Sequence, residues 1–508
     1  MNAPRHLLPR LLRALLMCAL LWGVLAGRAA RRPETTHHLP PIVFVSRNLP
    51  SGSDTGQIPG LGPHGSMIAV GGRLMLRERD GSVRTLVPPG SLYDVQDPDV
   101  SWDATRVVFS GLASADARWQ LFVLTLATGA LERLASVPGA DDFDPCWNGE
   151  RIFFVRAGTA RALYDSSRAG ALYEWRADRD TAVALLREAN GLLDPVIDTR
   201  RGALVFARWW FNPWLPLASG GVTREGSLAM TRDSVNQWQV LEYAPRFGER
   251  LRAGGGADRR ASMGVQPAVV GDGVIATFAR NSGLAPRPGP SGVHWMARVG
   301  TPGRRIAGAA IGDDLASPYS EGTGLSAPSA CAPATLPDGR LIVSFAAGAR
   351  DDFGLWLVTL DGRRTRLVDE PGLLELDAAP VVVRPGTALD LENTDRAARD
   401  EATFHFVDAD VFAGDGAPSR QDGARLRFFA LRSGSQQPMP IAEVAVPRNG
   451  RVDVRVPRIG PTFEQLIGAN GRVLMTAHGP AQVRGFNSPP AGGEARCVGC
   501  HLGHSALR

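Results

Sequence analysis

An all-β fold in two successive units is what this sequence predicts, and three observations predict it. One strand-forming unit recurs along most of the chain. The spacing of its copies suits one small antiparallel sheet per copy. Beyond the last copy, four segments alternate apolar and polar residues between tight-turn signals. The composition agrees: 508 residues, 44% hydrophobic and 21% charged, with 58 Gly and 38 Pro, describe a turn-rich globular chain too long for one ordinary domain.

The first element is a leader. Arg5, Arg10 and Arg13 precede an apolar run, Ala14–Ala26, and small residues follow at Ala26, Gly27, Ala29 and Ala30. The run is short for a membrane span, which needs about 20 residues. Residues 1–30 therefore read as a secretory signal peptide without an unambiguous cleavage site. Cys18 inside the run, after Met17, does not suit a lipoprotein signal. The expectation is an exported, periplasmic bacterial protein that meets a membrane only through an uncleaved leader.

The repeat follows. An acidic residue, a short gap, Pro, a polar turn and a β-rich run recur at Asp94–Ser110, Asp141–Val155, Leu192–Arg208, Val265–Arg280 and Cys331–Phe345, with a truncated copy at Leu376–Val383. The anchoring prolines read as Pro98, Pro145, Pro195, Pro267, Pro333 and Pro380, separated by 47, 50, 72, 66 and 47 residues. A unit of about 40–50 residues holding four short strands is one propeller blade. Pro is tolerated where an inner strand's ladder begins. Ile42–Arg47, Arg73–Arg79 and Ser82–Val87 are strands without a Pro unit, and the sixth copy has no followers. Joining them predicts a six-bladed β-propeller over residues 41–386, its last blade completed by the N-terminal strands, which leaves no open sheet edge.

Two intervals are longer than the rest. They hold the aromatic stretch Ala207–Pro216 and the segment Arg287–Met296. These either pack against a propeller face or roof a site over the central channel. Cys146 and Cys331 lie within two residues of inner-strand prolines. They read as buried free thiols, with a haem or metal contact for Cys331 as the minor alternative.

Residues 387–508 predict a β-sandwich-like domain. Ala402–Phe412, Ala424–Arg432, Ala442–Pro457 and Phe463–Thr476 alternate, and Asn449-Gly450 and Asn470-Gly471 are hairpin-turn signals. The segment ends in Cys497-Val498-Gly499-Cys500-His501. Two thiols three residues apart can add to haem vinyl groups while the adjacent imidazole reaches the iron, so the pattern points to one covalent haem c. Zinc would need two further ligands, and there is no second C-x-x-C. A redox dithiol would sit before a helix in a thioredoxin-like fold. His405, His478, Met475 and His504 are the candidates for the sixth iron position. His504 stands three residues from His501 and could replace it or bind another metal, although nothing else supports a second metal. An open sixth position would admit small-molecule chemistry.

Composition also excludes functions. All 56 basic residues are arginine, so Schiff-base lysines, pyridoxal-phosphate attachment and Walker-type loops are ruled out. The formal charge of +5 falls to +2 without residues 1–26, and the later arginines are interspersed with aspartates, which argues against nucleic acid as a partner. Neither G-x-S-x-G nor H-E-x-x-H occurs, which weakens a hydrolase reading.

The repeat resembles the TolB-type, WD40-like propeller repeats (P-x-W-S-x-D-G-x-x-I-x-F). Pro145 with Trp147, and Asp338 with Gly339, keep parts of that pattern. With C-V-G-C-H after a β domain, residues 41–508 resemble the hydrazine synthase alpha-subunit-like family, most specifically in Ala442–Leu474 and Arg496–His501. The resemblance implies that Cys497 and Cys500 hold the porphyrin and that His501 is the axial ligand. The family's multihaem enzyme continues into another haem domain and works with further subunits, whereas this chain stops, which argues against hydrazine synthesis itself. Two functions follow as expectations. One is a haem c protein in electron transfer or small-molecule redox chemistry, with a redox partner or small substrate. The other is a TolB-like binding or scaffold propeller whose haem is structural or sensory.

Overall fold

The computed structural model describes residues 39–497 apart from 55–56, 63–65, 162–167, 189, 213–214, 217–229, 232–234, 245–247, 254–262, 272, 280–290, 296–303, 309–318, 321–323, 326–328, 348–351, 392–402, 414–416, 432–436, 461, 477–478 and 483–493. The leader, His478, Cys500, His501 and His504 lie outside the described residues.

The chain folds as antiparallel β-sheets of a β-propeller. The strand at Asp94–Val100 is followed in its sheet by Arg106–Leu112, Gln120–Thr125 and Leu131–Arg133, each paired with the one before. Asp141–Asn148 and Ser329–Thr335 begin sheets of the same serial order. Leu192–Asp198 and Met263–Val270 begin the two halves of an eight-stranded sheet, joined by one parallel pairing of Trp238 with Met263. The serial order follows from the sequence, because short turns between alternating strands favour neighbours in space. The remaining sheet is composite. Leu373–Pro380 pairs with Ile42–Asn48, which continues into Gly72–Arg77 and Val83–Thr85.

Six of these strands lie side by side: each first strand packs on the next, and Leu373–Pro380 packs on Asp94–Val100. All six repeat one local feature. Asp97, Asp144, Asp194, Gln266, Ala332 and Asp377 have φ between 48° and 53°, in the left-handed region that non-glycine residues seldom enter. The pairing register shifts at each of these positions. A residue is thus added to one strand only, a β-bulge, which re-aims the side chains around it.

In five copies Pro follows directly, where its fixed φ and missing N–H suit a backbone leaving its ladder. The sixth differs from the sequence expectation. The bulge falls at Asp377, so Ala378 stands where the others carry Pro. Pro380, read as the anchor from its spacing, instead ends the strand.

In the Ala207–Pro216 stretch the residues up to Asn212 and Leu215–Pro216 are strand. Ala203–Asn212 pairs with Val235–Ala244, and Trp209 stacks on Trp238 with centroids 5.8 Å apart and planes 9° from parallel, both rings buried. In the second long interval, Ser291–Trp295 is an outer strand paired with Gly273–Ala279. Among the described residues, the Ala207–Pro216 and Ser291–Trp295 parts of these intervals do not line the central cavity.

After Pro380 the chain crosses the end of the channel. The Arg384 N–H donates to the Trp102 carbonyl, Gly386 passes between Thr199 and Trp102, and Leu389 exchanges backbone hydrogen bonds with the Asn148 side chain at 2.7 Å each. A methyl group on Gly386 would come within 2.8 Å of Thr199.

Thr403–Asp408 lies between Val452–Pro457 and Glu494–Cys497 in one three-stranded sheet, and Arg425–Ala430 lies between Met439–Ala445 and Thr462–Ile467 in another. Residues of both share a core that includes Phe404, Phe406, Leu426, Phe428, Val456 and Leu466, with Phe406 edge-on to Phe428. Asn470-Gly471 closes a hairpin as its sequence suggests, bracketed by the Gly468–Arg472 hydrogen bond and the Ile467–Val473 bridge. Asn449-Gly450 does not. It carries the chain from one sheet to the other, because Met439–Ala445 and Val452–Pro457 pair with different partners. A methyl group on Gly450 would sit 2.0 Å from Asp410 Oδ1, so tertiary contact fixes this turn.

Candidate functional site

The six first strands surround a cavity of about 800 Å³. Its collar is apolar, made by the five bulge prolines and Ala378, and Cys146, Trp102, Trp147 and Val382–Pro385 line it further out. The segment after Pro380 therefore supplies a partial roof among the described residues. Arg384 bonds Asp99 and the Val100 carbonyl there.

The bulges build the floor. Each αL residue except Ala332 turns its side chain toward the N–H of its counterpart on the next strand. The Asp97 N–H faces Asp377 and the Asp144 N–H faces Asp97, each partly holding down the carboxyl it faces. The Asp194 N–H donates to Asp144 Oδ2 at 2.9 Å, the Gln266 N–H to Asp194 Oδ2 at 2.8 Å, and the Ala332 N–H to Gln266 Oε1 at 2.9 Å. Only Ala332 has no side-chain acceptor to offer. The bonds stitch strands that share few ladder contacts, and they use one oxygen per side chain.

The other oxygens are the unusual part. Asp97 Oδ2, Asp144 Oδ1 and Asp377 Oδ2 are buried with no hydrogen-bonding donor. Burial pushes these carboxyls up: Asp97 and Asp194 to about 7, Asp377 to about 8, and Asp144 well above the usual carboxylate range. Neighbouring carboxylates add to the rise for all four, and Arg47 offsets part of it for Asp97 and Asp377. Asp97 and Asp144 are close enough to share a proton.

The far end is closed. Gly60, at φ +84°, brings its backbone beside Asp377 Oδ2, Arg47 Nη1 and Asp97 Oδ1, with Ile58 and Leu61 buried around it. Arg47 is fully buried, and its charge is matched by Asp94 at 2.8 Å and 3.1 Å with further bonds to Gln96 and the Ile68 carbonyl. Repeated Asp-Pro pairs were the sequence signal for this floor, but the prolines drew the reading away from the residue before them.

The two free cysteines divide. Both pack in the apolar core, Cys146 alone of the two also lines the cavity, and burial pushes both thiols up. Both are therefore poor nucleophiles.

In the C-terminal unit, Cys497 ends an edge strand that runs parallel to Thr403–Asp408, with Cys497 level with Asp408 and Glu494 level with His405. His405 and Asp408 lie three residues apart on alternating faces, His405 on the face away from Phe404, Phe406 and Asp408. Its Nε2 is 2.7 Å from Asp453 Oδ1. Met475 is exposed. As a donor set, two thiols and an imidazole within five residues fit haem c attachment, and an edge position leaves one side of Cys497's strand without a neighbouring strand among the described residues. The described His, Cys, Asp and Glu residues contain no group of three placed to hold a metal ion.

No known family profile matches the chain, and no curated protein matches it in sequence. Among solved structures, hydrazine synthase of Kuenenia stuttgartiensis is similar over 92% of this chain and 69% of that one, at 13% identity and a TM-score of 0.60. TolB of Acinetobacter baumannii matches 67% of this chain and 66% of its own, at 14% identity and a TM-score of 0.42. At such identities the first likeness speaks for the fold alone.

Proposed function

We propose that this chain is an exported c-type haem protein, working in electron transfer or small-molecule redox chemistry, with a six-bladed propeller as scaffold or lid of the haem site. The observation that carries this reading is Cys497-Val498-Gly499-Cys500-His501. Cys497 and Cys500 would hold the porphyrin and His501 the iron. When bound, the group supplies one-electron chemistry, or a binding position if its sixth site is open. Taking the eight-stranded sheet as two blades gives the count of six. Residues 1–30 support export to the periplasm, where covalent haem attachment takes place in bacteria. Hydrazine is not the proposed product.

A second reading has its own observation. The cavity, with its apolar collar and acidic floor, also suits a binding or scaffold propeller of the TolB-like kind, in which haem is structural or sensory.

The test is expression with the haem-maturation machinery, followed by a haem stain on a denaturing gel and a visible spectrum. The full chain should stain and Cys497→Ala should not. If the two are equally colourless, the haem reading fails. Carbon monoxide then separates the readings: a shifted Soret band favours small-molecule chemistry, and an unmoved low-spin spectrum favours electron transfer. Fractionation of a C-terminally tagged chain tests export.

A further inference from the structure

We propose that the propeller cavity binds a protonated primary amine, its alkyl stem passing the proline collar and its ammonium resting on Asp97, Asp144 and Asp377.

Three observations carry this. First, the fold does not need the charges. Gln266 does with a neutral amide what each aspartate does for the neighbouring strand, and Ala332 offers no side-chain acceptor. Placing four carboxyls at equivalent positions raises the cost of burial without adding a stitch. Second, Asp144 is only 5% exposed and lines the cavity, and its Oδ1 has no donor. Asp97 and Asp377, half-buried, also line the cavity, and their Oδ2 atoms have no donor either. Once the proton that Asp97 and Asp144 can share is released, three acceptors without donors remain, the complement of an ammonium, which carries three N–H groups and accepts nothing. Third, the surroundings select the kind of cation. The described carboxylates are not clustered as a metal ion requires. The five prolines and Ala378 beside them offer hydrocarbon to an alkyl stem, within a wall that also carries Asp99, Asp198, Arg200, Asp338 and Arg384.

Protonation of the ring competes with the ligand. Arg47 faces the floor from below and is already matched by Asp94, and Gln266 and Ala332 complete the circle without charge. Asp99, Asp198, Arg200, Asp338, Cys146 and Arg384 line the same cavity on the collar side. Binding therefore strengthens as the ring ionises, with proton release.

The experiment is calorimetry on the full chain with n-butylammonium chloride at pH 8.5 and pH 5.5, alongside butanol, tetramethylammonium and calcium chloride. Saturable binding of butylammonium is expected at pH 8.5, weaker by about tenfold or more at pH 5.5 and in Asp144→Asn. Butanol and tetramethylammonium should bind no better than that variant. Asp377→Asn is the second variant, and thermal melts at pH 5.5 show that both fold. No saturable heat, binding unaffected by both substitutions, or calcium matching butylammonium would each overturn the proposal. The haem stain of Asp144→Asn should equal that of the parent, so this inference and the haem reading fail separately.

Discussion

Two halves of one ring carry the same backbone and different chemistry. Asp377, Asp97, Asp144 and Asp194 occupy consecutive positions around it, and Gln266 and Ala332 complete the circle. All six share the left-handed φ and the bulge. What differs is charge, and with it the environment each carboxyl must accept. The neutral half shows what the architecture requires, which is at most one acceptor per strand. Whatever the acidic half has beyond that is available for something other than folding.

Substitutions can break or sharpen this contrast. The largest effect is expected from Ala332→Asp, which extends the acidic arc. It should destabilise the protein by roughly 2–4 kcal/mol at pH 8.5 and far less at pH 5, read from denaturant unfolding. Equal loss at both pH values would point to packing rather than charge.

The pH dependence of the parent should come next. These carboxyls bind protons more tightly folded than unfolded, so their stabilising contribution is complete below the ordinary carboxylate range. It is lost as pH climbs through 7 to 8, the values to which Asp97, Asp194 and Asp377 are pushed. Asp144→Asn, which keeps an acceptor for the Asp194 N–H, should flatten the fall and be more stable than the parent at pH 8.5. A steeper fall would contradict the ring's assignment.

Gln266→Glu should behave like the parent at pH 5 and fall below it at pH 8.5, because it adds charge and retains the acceptor. The smallest effect belongs to Gln266→Ala. The Ala332 N–H also reaches Thr277 Oγ1 at 3.1 Å, so the loss should be about 1 kcal/mol or less, independent of pH.

Legibility in the sequence followed the same division between backbone and chemistry. Repeated Asp-Pro and strand patterns announced a propeller because the repeat is dictated locally, at Asp97-Pro98, Asp144-Pro145 and Asp194-Pro195. Spacing alone misled at Pro380, since the bulge, not the proline, defines the register. Asn449-Gly450 misled in another way, because a turn dipeptide is silent about whether the strands it joins pair with each other. The acidic floor was hidden, for it exists only where residues from distant strands converge. The link at Val382–Pro385 was likewise invisible as a roof, since no local pattern tells a linker where to cross. The C-x-x-C-H motif was readable because thiol and imidazole spacing is the chemistry itself. A sixth ligand for the proposed haem is not readable in the same way, because such a partner is chosen by tertiary approach.

The pairing of Ile42–Asn48 with Leu373–Pro380 has a consequence in time. Ser46 and Glu375 bond across a sequence separation of 329 residues, which makes such contacts slow to find. Asp377 reaches Asp97 by the same juncture, so the floor cannot be complete before the two ends of the circle meet. The cavity is thus among the last parts of the molecule to be born. An occupant of that floor would act as a fastener, holding shut a seam that the rest of the chain closes late.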